Sequence, residues 1–338
     1  MAREKELFNA VQKGFITEDS AKRILEYNAR LDEHGLPIIY NLRHIRKMFK
    51  IKKKDQDRFF GSCRDELYHS FKVPKKSGGM RRIQAPKDEL KLIQLWIKTE
   101  ILDKYSASKY ATGFRKGYSI VDNALLHVGK ELVINLDIKD FFPSVTYADV
   151  IKVFSYMGYR LDVAHLLTRL CTNEKDVLPQ GSPASPALSN LVLLKLDKRL
   201  GSLANSLQCD YSRYADDITF SGEKSIKSML PLVKRIISEE GFRVNESKVR
   251  LQYAHQRQEV TGLIVNKKVA VSKKLQNEIK NAIYYCQKYG VANHMKYIGC
   301  DKTFYKEHLY GIAYFIKMVE PEKGSLYLKG LDGVAWDV

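Results

Sequence analysis

Apolar residues recur along this chain in two rhythms, one helical and one alternating, and the changes between them mark out its elements. Between Thr17 and Leu31, Ala21, Ile24, Leu25 and Leu31 return at roughly helical intervals, with Thr17 placed to cap the start and Gly35 to end it. Leu90, Ile93, Leu95, Trp96, Ile97, Ile101 and Leu102 predict a second helix, its apolar residues facing a core. Residues 131–138 alternate instead. Ile134, Leu136 and Ile138 share one face of a strand while Val133, Asn135 and Asp137 share the other, so Asp137 points away from the apolar row. Residues 209–214 and 218–221 read as paired strands with a turn between them. A rigid loop of small residues, Leu178-Pro179-Gln180-Gly181-Ser182-Pro183-Ala184-Ser185-Pro186, precedes a helix that starts near Ala187 and continues through Asn190, Leu191, Leu194 and Leu200. After Gly241 short strands run to Val271, and beyond Ser272 the chain reads as helical and basic.

A length of 338 residues with 44% hydrophobic content is ample for a buried core and for two or three subdivisions. Lys and Arg number 57 against 39 Asp and Glu, a net charge of +18 that points to a polyanionic partner, nucleic acid first. No apolar segment approaches a membrane-spanning length and no leader follows the amino terminus, so no membrane partner and a cytoplasmic location are expected. Two basic clusters stand out. Arg43, Arg46, Lys47, Lys50, Lys52, Lys53 and Lys54 are interleaved with Met48, Phe49 and Ile51, which fits a phosphate contact as well as a solvated helix face. Lys72, Lys75, Lys76, Arg81 and Arg82 surround Ser77-Gly78-Gly79, which reads as a hairpin turn. The five cysteines and eight histidines show no zinc-ligand spacing, and the cysteines are expected to be reduced.

The candidate chemistry begins at Tyr214-Ala215-Asp216-Asp217, where two adjacent carboxylates fall at a hairpin turn. Like charges this close raise each other's pKa unless a divalent ion neutralises them, and hard oxygen ligands suit Mg²⁺. An isolated Asp-Asp pair is otherwise an ordinary solvated turn. If Asp137 at its strand end meets Asp216 and Asp217, three carboxylates converge and can hold two Mg²⁺, the requirement for in-line nucleotidyl transfer.

With these motifs in this order, the chain resembles a reverse transcriptase from about residue 72 to 265. Ile134-Asn135-Leu136-Asp137-Ile138-Lys139-Asp140-Phe141-Phe142-Pro143 is similar to the family's first catalytic-acid motif, Leu178-Pro179-Gln180-Gly181-Ser182-Pro183 to its nucleotide-binding loop, and Tyr214-Ala215-Asp216-Asp217 to its catalytic turn. The resemblance implies an α+β chain of right-hand polymerase architecture, with fingers, a palm whose antiparallel sheet carries the acids, and a helical thumb. The implied divisions are a helical extension over 1–35, fingers over 36–130 with 148–178 returning to fingers and palm, palm over 131–147 and 179–265, and an RNA-binding thumb over 266–338. It implies Asp137, Asp216 and Asp217 as catalytic and metal-binding residues, with Ile138 also at the metal site. It also implies dNTP contacts at Arg81 or Arg82, Gln180 and Gly181, a steric gate against ribonucleotides at Phe142, and a proton donor to pyrophosphate at Lys248, which otherwise reads as a surface lysine.

Two further strings, Asn123-Ala124-Leu125-Leu126-His127 and Val260-Thr261-Gly262, are similar to signatures of bacterial retron reverse transcriptases, as is the segment Gly35-Leu36-Pro37-Ile38-Ile39. That group implies RNA or primer contacts at Asn123, His127, Val260, Thr261 and Gly262, although a buried structural histidine is an equal reading of His127. It further implies a cognate structured noncoding RNA as primer and template, a single-stranded DNA product joined to it (msDNA), and an effector protein in antiphage defence. Maturase, endonuclease and ribonuclease H regions are expected to be lacking. Lys273, Lys274, Lys280, Lys288 and Lys296 are candidate RNA contacts in the thumb. The competing readings are an abortive-infection or other bacterial reverse transcriptase and a non-catalytic RNA-binding scaffold for an effector.

Overall fold

The computed structural model describes residues 2–74, 78–300 and 303–336, so Lys75, Lys76 and Ser77 of the expected hairpin turn lie outside the described residues. The chain divides into two units. The first comprises the chain up to Arg115, Ile138–Arg199 and Ile237–Arg243; the second comprises Lys116–Asp137, Leu200–Ile236 and the chain from Val244 onward.

In the first unit, a helix at Glu18–Glu33 begins where Thr17 accepts a hydrogen bond from the Ser20 backbone, and Gly35 follows its end in the left-handed conformation expected beyond a helix terminus. Leu31, Ile39 and Ile45 are fully buried there, and the Tyr27 hydroxyl donates to the Ile39 carbonyl at 2.7 Å. Strands β1 (Tyr68–Pro74) and β2 (Met80–Pro86) form an antiparallel hairpin, followed by a helix at Asp88–Glu100. The expected long helix after the small-residue loop is two helices, Ser185–Val192 and Leu194–Ser206, because the chain leaves helical geometry at Leu193.

The second unit is built on a four-stranded antiparallel sheet ordered β4-β5-β3-β6, from β3 (Leu132–Asp137), β4 (Asp210–Tyr214), β5 (Asp217–Gly222) and β6 (Arg250–Tyr253). Every residue of β3 is buried, as a central strand covered on both faces requires. The alternation survives in chemistry. One face pairs Ile134 with Phe220 and Tyr211, whose rings stack at 4.8 Å, while the other aligns Asn135, Thr219 and Ser212. On that polar face Asn135 donates to Thr219 at 3.2 Å and accepts from Gln252 at 2.5 Å, so these buried polar groups satisfy one another. A two-stranded hairpin, β7 (Glu259–Val260) and β8 (Leu263–Ile264), follows.

Among the described residues, the chain after Ser272 adds four helices to this unit: Lys273–Tyr289, Val291–Tyr297, Tyr305–Val319 and Pro321–Asp332. They enclose Ile279, Ala282, Leu309, Ala313, Ile316 and Leu331, and Ser272 caps the first, so the basic helical region begins where the sequence predicts. Lys273, Lys274, Lys280, Lys288 and Lys296 are all exposed. The five cysteines are free. No described helix is long and apolar enough to cross a membrane.

Candidate active site

Tyr214 pairs with Asp217 across the β4–β5 hairpin, which leaves Ala215 and Asp216 as a two-residue turn. Ala215 takes a left-handed backbone (φ 57°), a conformation that costs an L-residue about 1–2 kcal/mol. Arg213, fully buried, holds that strained point: its Nη1 donates to the Ala215 carbonyl at 3.0 Å. On the other side of β5, the register sets Asp217 directly opposite Asp137 at the end of β3. A short turn and one strand pairing thus bring Asp137, Asp216 and Asp217 to one edge of the sheet.

Their charges are felt. The Asp217 carboxyl is pushed up to about 6, first by the protein packed around it, although its surface opens to solvent, and then by the negative charges of Asp216 and Asp137; Lys248 and Arg250 pull it back. Asp137 itself is buried and has both oxygens engaged. Lys248 Nζ lies 2.6 Å from Oδ2, and Asn245 Nδ2 donates to Oδ1 at 3.3 Å. The Asn245 backbone N–H also donates to the Asp137 carbonyl at 2.8 Å, docking the Lys248 segment against the strand end.

Three carboxylates on one sheet edge are a hard, anionic donor set that suits Mg²⁺. Among the described residues, however, no group of three His, Cys, Asp or Glu side chains stands ready-arranged around a metal position. Asp137 is held instead by Lys248 and Asn245.

His127 is fully buried just after the helix Ile120–Leu125. Its Nδ1 bonds Ser221 of β5 at 2.6 Å and its Nε2 bonds Ser212 of β4 at 2.7 Å, and burial pushes its pKa down to about 4. Asn123, four residues earlier, is also buried. Asn123 and His127 are thus interior positions, which matches the structural reading of His127, and His127 ties together the two strands that flank the acidic turn. Val260 is buried on β7, whereas Thr261 and Gly262 are not strand residues as expected. They form the β7–β8 turn, both with positive φ (47° and 83°), and Thr261 Oγ1 donates to the Ile120 carbonyl at 3.2 Å. A positive φ is unusual for a β-branched residue and marks a constrained turn.

The remaining predicted residues lie in the first unit. Ile138 is buried. Phe142 is half-buried in a short helix at Phe141–Ser144, with its ring 5.2 Å from that of buried Phe141 and 6.0 Å from exposed Phe114. Arg81 and Arg82 are exposed neighbours on β2 and so project from opposite faces. Arg82 lies 3.3 Å from the Ser70 hydroxyl and 3.8 Å from a Glu174 carboxylate oxygen. Gln84 shares its face, donating to Glu174 at 3.1 Å and accepting from Asn173 at 2.7 Å.

The loop Gln180-Gly181 runs against β2: the Gln84 N–H donates to the Gln180 carbonyl at 2.8 Å. Gly181 has φ 133°, and a Cβ there would stand 2.8 Å from the Gln84 carbonyl oxygen. Its close approach is thus to the strand. Gly181→Ala is expected to displace the loop and lower stability by about 2–3 kcal/mol, measured by urea unfolding. An unchanged unfolding midpoint would contradict this packing.

Sequence reading gave no role to Arg213, Ser212, Ser221, Asn245 or Phe114. Asn245 and Arg213 stood beside recognised motifs, but only the long-range pairing shows what they hold.

Comparisons with known proteins show the family of the chain. Residues 73–300 match the family model described as reverse transcriptase (RNA-dependent DNA polymerase). The chain is 36% identical over 296 residues to the retron Ec86 reverse transcriptase of Escherichia coli, covering 86% of this chain and 88% of that protein. The chain belongs to the retron reverse transcriptases. Two further retron reverse transcriptases, Mx65 and Mx162 of Myxococcus xanthus, are 37% and 35% identical over 277 and 295 residues. These matches cover 76% and 78% of this chain but 62% and 60% of the Myxococcus proteins. Membership gives this retron reverse transcriptase a right-hand polymerase fold and the activity of an RNA-directed DNA polymerase.

Proposed function

We propose that this reverse transcriptase makes single-stranded DNA joined to its own template RNA: a 2′-hydroxyl of one cognate structured noncoding RNA serves as primer, and another part of that RNA is copied. The observation that carries the catalytic reading is the register that sets Asp137 opposite Asp217 with Asp216 on the adjoining turn, in a chain similar to retron enzymes over most of its length. The retron product itself rests on that likeness. Antiphage defence with an effector protein is part of the same proposal.

Asp137, Asp216 and Asp217 would hold two Mg²⁺, with Ile138 beside them; bound there, the ions would lower the pKa of the attacking hydroxyl and neutralise the triphosphate. Arg82 is the better candidate for the triphosphate than Arg81, because it shares a strand face with Gln84, whose backbone carries the Gln180-Gly181 loop. In this reading the sheet of the second unit is the palm, the β1–β2 hairpin belongs to the fingers, and the basic helices after Ser272 form an RNA-binding thumb.

Phe142 is proposed as the steric gate that excludes a ribose 2′-hydroxyl from the incoming nucleotide. Phe142→Ala is expected to raise ribonucleotide over deoxyribonucleotide incorporation by about tenfold or more; unchanged discrimination would remove Phe142 from the gate. For the priming mode, the chain purified with its RNA and given labelled dNTPs without added primer is expected to yield DNA that denaturation alone does not separate from RNA. Label running free of RNA would contradict it.

A further inference from the structure

We propose that Lys248 is a resident counter-cation of Asp137 that competes with the divalent ion, so that metal entry is held back until a nucleotide triphosphate draws the lysine away. This rests on the metal-site reading given above and concerns the regulation of that same site.

Geometry carries the argument. Asp137 is buried, and each of its oxygens has a donor, Lys248 Nζ at 2.6 Å and Asn245 Nδ2 at 3.3 Å. These contacts are arranged by the local chain. The Asn245 backbone is bonded to the Asp137 carbonyl at 2.8 Å, the Ser247 hydroxyl donates to Asn245 Oδ1 at 2.9 Å and so aims the amide nitrogen at Asp137, and the Lys248 N–H closes a turn onto the Asn245 carbonyl at 2.9 Å. The ammonium is thus delivered by a segment fixed to the very residue it neutralises. Its side chain is half-exposed, whereas that of Asp137 is buried.

Charge makes the competition consequential. Asp137, Asp216 and Asp217 bring three negative charges, and Lys248 and Arg250 bring two positive charges acting on Asp217, so a divalent ion meets a net charge of about −1 rather than −3. A divalent ion approaching Asp137 must displace or share the oxygen held by Lys248. A triphosphate offers the lysine another anion, and by linkage nucleotide binding and metal binding then strengthen each other.

The test uses the full chain freed of nucleic acid by high salt, with Mn²⁺ titrated as a spectroscopic probe of bound metal. Lys248→Met is expected to bind Mn²⁺ at least about tenfold more tightly than the unaltered chain when no nucleotide is present. Lys248→Arg, which keeps the charge, is expected to stay near the unaltered affinity. Adding a non-incorporable dNTP analogue is expected to tighten Mn²⁺ binding in the unaltered chain and to do so much less in Lys248→Met. Equal or weaker Mn²⁺ binding by a folded Lys248→Met, with Asp217→Asn still weakening it, would overturn the competition while sparing the metal site. Mn²⁺ binding indifferent to Asp217→Asn and Asp137→Asn would overturn the metal site and the competition together.

Discussion

Replacing Asp216 and Asp217 together by alanine is expected to abolish DNA synthesis, a loss of at least about a thousandfold, while leaving RNA binding nearly intact. The two effects separate because they depend on different parts of the chain. In the proposed reading, affinity for RNA would be carried by dispersed cations such as Lys273, Lys274, Lys280, Lys288 and Lys296, all of which are exposed. The acids supply little or no binding energy to a polyanion. Loss of fold is not expected to explain the result either: burial first, and then the charges of Asp216 and Asp137, resist ionisation of Asp217 in the folded chain, so removing it relieves that cost at neutral pH. Primer extension and RNA affinity measured on the same preparation, with a melting temperature at or above that of the unaltered chain, check the prediction. Residual synthesis within tenfold of normal would contradict the role of the turn.

The second large effect is expected at His127. Changing it to Leu leaves the buried hydroxyls of Ser212 and Ser221 without the partners they now have, at a cost of about 2–4 kcal/mol. Activity should fall as well, because the same bonds tie β4 to β5 on either side of the acidic turn. The pH dependence gives a signature that mere loss of packing would not. His127 is held neutral, its pKa pushed down to about 4, so between about pH 6.5 and 4 the unfolded chain binds a proton there that the folded chain does not. Stability carried by this group is therefore complete above about pH 6.5 and is lost as pH falls toward 4, up to about 3 kcal/mol. Asp217 acts in the opposite sense: its raised pKa makes acidification from about pH 6 downward favour the folded chain. His127→Leu should thus be less stable than the unaltered chain at pH 7 yet lose less on acidification, as read from urea midpoints at several pH values. Parallel stability curves would contradict a neutral buried His127.

Local rules made much of this fold legible. Thr17 and Gly35 bracket a helix because capping and left-handed geometry are decided within a few residues, and the alternation of residues 131–138 separates the polar and apolar faces of β3 even though both are buried. The acidic turn was readable for the same reason, since a two-residue hairpin needs only its neighbours. What stayed hidden depends on partners far along the chain. Nothing near His127 in sequence announces Ser212 and Ser221, which lie 85 and 94 residues away. Likewise Gly181 looks like a place for a ligand until β2 is found against it, and the engagement of Asp137 requires a lysine 111 residues downstream. The Thr261-Gly262 turn is a different failure: β-branched Thr261 argues for a strand, and only the pairing of β7 with β8 forces it into a positive φ.

The most direct test of the central claim is to isolate this protein from cells expressing it with its native flanking sequence and to sequence the nucleic acid it carries, before and after ribonuclease and 2′,5′-debranching treatment. One discrete single-stranded DNA attached to one RNA is expected, released as free DNA by debranching and absent when Asp216 and Asp217 are replaced by alanine. DNA of many sequences with no RNA attached, or RNA alone from the unaltered chain, would contradict the claim.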